Sequence, residues 1–188
     1  MGATWRYTLA TGLLIGVGSA IGLMSLFVSL IPRAVIAPIF IFIGFEIIHQ
    51  AYKESPPSHS PAVSLSFLPV IASLVLIILA QFLGALNLTP DKLPLRLQHL
   101  HQTLTMLANG FILTGLLWGS MLAFLIDHRA KLAALCAALC AWLTLFGVIH
   151  SILPTGELYL PWQAAVNAHY MLALAYLALA GILLLLTE

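Results

Sequence analysis

Residues 60–86 read SPAVSLSFLPVIASLVLIILAQFLGAL, and the fold class follows from them. Ser60 followed by Pro61 is an N-cap with proline in the first helical position, where its missing N–H is no loss. From Pro61 to about Leu83 the chain is apolar almost throughout, and about 20 such residues cross the hydrocarbon of a bilayer. In lipid the backbone N–H and C=O groups must be satisfied within the segment itself, which selects a helix. Pro69, inside the run, bends it.

The remainder of the chain is of the same kind. Of its 188 residues 62% are hydrophobic and 7% charged, with a mean hydropathy of +1.08. Soluble domains carry about 25% charged residues, so little here could cover a water-facing surface. The expected fold is all-α, a polytopic integral membrane protein with about six transmembrane helices, lettered A to F. Helix A runs from about Leu9 to Ile31 behind the interfacial trio Trp5, Arg6 and Tyr7. Helix B runs from Pro32 or Ala34 to Tyr52, with Pro38 marking a kink or a delayed start. Helix C is the stretch already quoted, D spans Leu104 to Ile126, E Leu132 to Leu153 and F Ala164 to Leu186. Between C and D, GALNLTPDKLPLRLQHLHQ has the pattern of a short amphipathic segment along the membrane surface. Tyr159 and Trp162, between E and F, are belt residues.

With six spans, Arg6, Lys53, Arg129 and Lys131 share the side of both termini, against Arg33, Lys92 and Arg96 opposite. Basic residues favour the cytoplasmic side, so both termini are expected in the cytoplasm, the chain sitting in a bacterial-type inner or plasma membrane. Net charge is +1 with dispersed basic residues, which excludes a nucleic-acid footprint. The expected partners are the lipid bilayer and other transmembrane subunits.

Ionisable side chains within spans are the natural functional candidates. In IPRAVIAPIFIFIGFEIIHQ, residues 31–50, Glu46 and His49 share a helix face and could handle protons together. The alternative is that Glu46 marks the membrane edge and reaches toward Lys53. Asn109, in MLANGFIL, is a polar amide about one turn inside helix D that could hold neighbouring helices by hydrogen bonding or line a polar path. His150 closes E and His169 opens F on one side of the membrane, where two imidazoles could face a haem iron or hold a pigment, or each be satisfied by water or backbone. Beyond that pair no cofactor is expected. Cys136 and Cys140, four apart, suit a helix contact better than a disulfide. Glycines four apart, Gly12 with Gly16 and Gly115 with Gly119, let helix backbones approach closely. No catalytic triad, phosphate loop, CxxC or paired carboxylates are present, so no enzyme activity is expected.

RYTLATGLLIGVGSAIGLMSLFVSLIPRAVIAPIFIFIGFEII, residues 6–48, resembles the late part of the xanthine–uracil permease superfamily (nucleobase–cation and ascorbate symporters), above all its adenine–guanine–hypoxanthine branch. There a long apolar helix ends in Pro-x-Ala, followed by Ala-Pro and a glycine; here these are Pro32, Ala34, Ala37, Pro38 and Gly44. SPAVSLSFLPVIASLVLI and LANGFILTGLLWG resemble the family's last two helices. The likeness divides the chain into residues 1–126, permease-like helices A to D, and a two-helix extension, 127–188. It implies the closing portion of a permease, without the helices that contact the nucleobase, so no substrate residue carries over. The expected function is a component of a nucleobase-type transporter; the alternative is an accessory structural subunit of a larger respiratory or photosynthetic complex.

Overall fold

The computed structural model describes residues 5–23, 25, 29, 33–163 and 167–185. Among these the regular structure is helical, with no strand. The helices are α1 Trp5–Ala20, α2 Arg33–Glu54, α3 Ser60–Ser66, α4 Leu68–Ala85, α5 Leu95–Ala108, α6 Phe111–Ile126, α7 Ala130–Leu145 and α8 Ala168–Leu185. Contacts divide the chain into two units, Met1–Ala51 and Tyr52–Glu188. The 126/127 boundary drawn from the permease likeness is therefore no packing boundary, since α6 and α7 pack together across it.

In the first unit α1 ends in a turn in which Gly22 takes φ +78°, and the far end of expected helix A falls largely outside the described residues. Pro38 lies inside α2, so it does not delay the start. Phe40, Phe42 and Phe45 are all exposed, as suits residues that meet lipid.

The second unit is built around α6, which packs on α3, α4 and α7; α7 lies along α8, and α4 carries α5. The contact of α7 with α8 rests on small residues. Ala133, Ala134, Ala137, Cys140 and Ala141 are almost fully buried, facing Ala173, Tyr176, Ala180 and Leu183. Their spacing by threes and fours keeps one narrow stripe on each helix, and their size lets the backbones approach where lipid gives no hydrophobic drive. Gly115 and Gly119 do the same for α6 against α3. A Cβ on Gly115 would lie 2.5 Å from the Ser66 carbonyl oxygen, and one on Gly119 would lie 3.2 Å from the Ser66 Cβ. At Gly12 and Gly16 of α1 nothing comes within 4 Å.

Three expected helices differ. Helix D is broken: α5 ends at Ala108, α6 begins at Phe111, and the pair is bent by 75°. The presumed surface segment and the start of D are thus one helix. Helix E stops at Leu145, eight residues before Leu153, because Gly147 takes φ +69°. The Gly147 N–H bonds the Thr144 carbonyl and the Val148 N–H that of Leu143, a Schellman ending in which glycine carries the left-handed turn without penalty. Expected helix C is likewise split at Phe67, and Pro69 sits in the first turn of α4, where it breaks no bond.

Among the described residues two helical runs are long and apolar enough to cross a membrane, Pro57–Ala85 and Ala168–Leu185, and a third if α5 and α6 form one broken span. At 16 residues each, α1 and α7 fall short of the roughly 20 that a bilayer requires, and α2 carries charge at both ends.

Candidate functional site

The break between α5 and α6 and the early end of α7 meet at one place. Residues 146–160, expected to continue a helix and then run along the interface, instead fold back into the second unit, with Ile149, His150 and Ser151 buried. Buried irregular backbone needs partners for its polar groups, and Asn109 supplies them. The sequence places Asn109 a turn inside a helix; it is in fact the C-cap of α5. Its Nδ2 donates to the carbonyls of Ser151 (2.9 Å) and Leu153 (2.8 Å), and its own carbonyl accepts the His150 N–H at 3.0 Å. The Ser151 hydroxyl closes the loop onto the Glu157 carbonyl. Tyr159, expected at the interface, is buried, its ring set against Gly147 so closely that a Cβ there would lie 2.5 Å from it. Trp162 remains exposed.

From this loop His150 enters a chain of hydrogen bonds. Its Nδ1 lies 3.1 Å from the Met106 carbonyl oxygen and its Nε2 2.8 Å from the Tyr176 hydroxyl; Trp118 Nε1 donates to the same hydroxyl at 2.7 Å. A carbonyl only accepts, so Nδ1 carries the proton of the neutral ring and Nε2 is the bare acceptor for the phenol. Trp118 (α6), Tyr176 (α8), Met106 (α5) and the 146–160 loop are thereby joined at one residue. The ring of His150 stacks on that of Tyr176 at 5.8 Å. Burial pushes the His150 imidazole below its ordinary pKa, and the Met106 bond offsets part of this. The cluster borders a cavity of about 460 Å³ lined otherwise by Thr103, Leu107, Ala168, Met171, Leu172 and Ala175.

Glu46 and His49 are both exposed on α2, and no hydrogen bond or ion pair joins the two. His169, fully buried, packs edge-on against Tyr159 at 5.4 Å and beside Tyr170 at 4.0 Å. Both ring nitrogens of His150 are engaged within the protein, so binding an iron or pigment there would require breaking one of these bonds. Among the described residues no group of three or more His, Cys, Asp or Glu side chains could hold a metal ion.

Two features escape sequence reading. His59 Nε2 lies 2.8 Å from Asp127 Oδ1, tying the start of α3 to the end of α6. Trp118 and Tyr176 carry the hydrogen-bond chain; the signal available was a tyrosine within LALAYLALA, since a buried phenol must find a partner. Comparison with protein-family models, characterised proteins and solved structures finds no match for this chain.

Proposed function

We propose that this chain is a permease-like integral membrane protein acting as one part of a nucleobase-type transporter, the substrate-contacting helices being contributed by another stretch of polypeptide. The observation that supports this is the break at Asn109 and Gly110. It falls within LANGFILTGLLWG, where the sequence resembles a permease, and it interrupts an apolar helix with a bend of 75°. Discontinuous helices are the recurring element of transporter sites. On this reading the chain crosses the membrane about six times with both termini cytoplasmic, and Glu46 with His49 couples protons. Crosslinking in native membranes followed by mass spectrometry tests it. A partner with permease helices is expected, and proteoliposomes holding both should take up radiolabelled purine in response to a proton gradient, less so with Glu46→Gln. No uptake by the pair ends the transport reading.

A second reading, an accessory structural subunit of a larger membrane complex, is favoured by another observation. The side-chain NH2 and the backbone carbonyl of Asn109 are spent on the chain's own loop, and the cavity beside His150 is almost entirely apolar. Here the same crosslinks would recover a respiratory or photosynthetic assembly, and detergent extracts would show the chain migrating with it.

A further inference from the structure

The chain of bonds through His150 tolerates only one protonation state. Neutral His150 donates from Nδ1 to the Met106 carbonyl and accepts the Tyr176 proton at Nε2, which leaves the phenol oxygen to accept from Trp118. A second proton makes both ring nitrogens donors. The Tyr176 oxygen would then face two donors, and its own proton would have to turn into a largely apolar cavity where Thr103 and the weakly accepting Met171 thioether are the side chains able to take it. The new charge would also lie in a core where His150 is 2% exposed, and an unpaired buried charge is costly. Four structural pieces meet at this ring, so its protonation acts on all of them together.

We infer that residues 146–160 form a pH-operated latch, closed on α5, α6 and α8 while His150 is neutral and released when the ring takes up a second proton. The inference concerns the second unit alone and holds whichever function the chain serves.

Among the described residues no carboxylate lies within ion-pair distance of His150. Tyr176 of α8, its hydrogen-bond partner, shares a core with Cys140 of α7, while α5 and α6 bring Thr103, Met106 and Trp118. Glu157, in the same loop, is exposed and meets Ser151 through its carbonyl alone. Water has a way in. A cavity of about 440 Å³, lined by Asp91, Gln98, His101, Gln102 and Thr105, reaches Ile152 and Pro154 two and four residues beyond His150.

Hydrogen exchange of the full chain in detergent, read by mass spectrometry between about pH 8 and pH 5 and corrected for intrinsic rates, tests the latch. Protection of residues 146–160 should fall on the acid side by up to about tenfold per pH unit, as one-proton linkage requires. Protection unchanged across that range overturns the inference. His150→Gln, which keeps hydrogen-bonding capacity without titrating, should abolish the transition; a transition that persists, driven by Asp91, His101 or another group, overturns the inference as well. Should His150→Gln fail to fold, Tyr176→Phe decides. It removes the donor that stabilises the bare Nε2, so release should begin at higher pH, and an unmoved transition counts against the latch.

Discussion

Gly110 lies so close beneath Val148 that a Cβ on it would stand 2.5 Å from the Val148 carbonyl oxygen. The residue also takes φ +73°, a conformation that costs an L-residue about 1–2 kcal/mol. Both constraints fall on backbone, which cannot swing aside. Gly110→Ala should therefore lower the thermal midpoint in detergent by more than conformational strain alone explains, with far-ultraviolet circular dichroism as the readout. A midpoint within a degree of wild type would mean that α5 and α6 do not break here.

Asn109 supplies the second half of that junction. Asn109→Ala leaves the Ser151 carbonyl without its donor, at about 1–3 kcal/mol for a buried group left unsatisfied, while the Leu153 carbonyl keeps the Gly156 N–H. Asn109→Asp is the more telling change, because it sets a carboxylate against two carbonyl oxygens and removes both donors at once. Limited proteolysis should cut residues 146–160 faster in both variants, and faster in the aspartate variant than in the alanine one.

How far such features can be read from sequence depends on the range of the interaction. Pro61 and the run to Leu83 announce an apolar helix through local rules, and the structure has it, split at Phe67 beside Pro69. Asn-Gly at 109–110 is an equally local turn signal, but the apolar run continues past it and invites a straight helix; the competing loop that stabilises the break comes from about 40 residues downstream in the sequence. Gly147 is likewise a helix-stop signal, outweighed in the reading by the valine and isoleucine that follow. The partnership of His150 with Trp118 and Tyr176 has no local signature, because three elements converge only after folding. The metal or haem expectation at His150 and His169 rests on their shared side of the chain, which gives none of the neighbours that engage the ring of His150.

The two glycine pairs separate packing from pattern. Gly115→Ala drives a methyl group toward the Ser66 carbonyl at 2.5 Å, whereas Gly119→Ala meets the Ser66 Cβ at 3.2 Å and the Ala62 carbonyl at 3.3 Å, contacts that need only a few tenths of an ångström of relief. Gly12→Ala and Gly16→Ala enter open space on a helix, where alanine gains about 0.5–1 kcal/mol over glycine. Thermal midpoints should rank Gly115→Ala lowest, Gly119→Ala next, and both α1 variants at or above wild type. Loss of stability at Gly12 would point to a contact on α1 made by a second molecule.

Stability should also depend on pH with a sign fixed by His150. Burial holds its pKa below the ordinary value in the folded protein, while the unfolded ring titrates near about 6.5. Above that value neither state binds the extra proton and the full stability is present; as pH falls below it, the unfolded chain takes up a proton that the fold resists, and stability declines until the folded value is reached. Thermal midpoints measured at about pH 7.5 and pH 5.5 should differ in that direction for wild type. The difference should shrink in His150→Gln.

Whether lipid is the solvent for these helices can be asked residue by residue. Leu74 and Ile78 on α4, and Leu174 and Leu177 on α8, are each at least half exposed, yet none has a polar function to offer water. A soluble protein with so much apolar surface would aggregate. If lipid is the solvent, exposed apolar residues in the middle of such helices face acyl chains, and Asp91 and Glu157, exposed in the connections, face water or headgroups. With Cys136 and Cys140 replaced by alanine, single cysteines at Asp91 and Glu157 should react with a membrane-impermeant maleimide in intact or inverted vesicles. Cysteines at Leu74, Ile78, Leu174 and Leu177 should react only after detergent is added. Rapid labelling of Leu74→Cys and Leu177→Cys without detergent would take both helices out of the bilayer, and a membrane-spanning second unit with them.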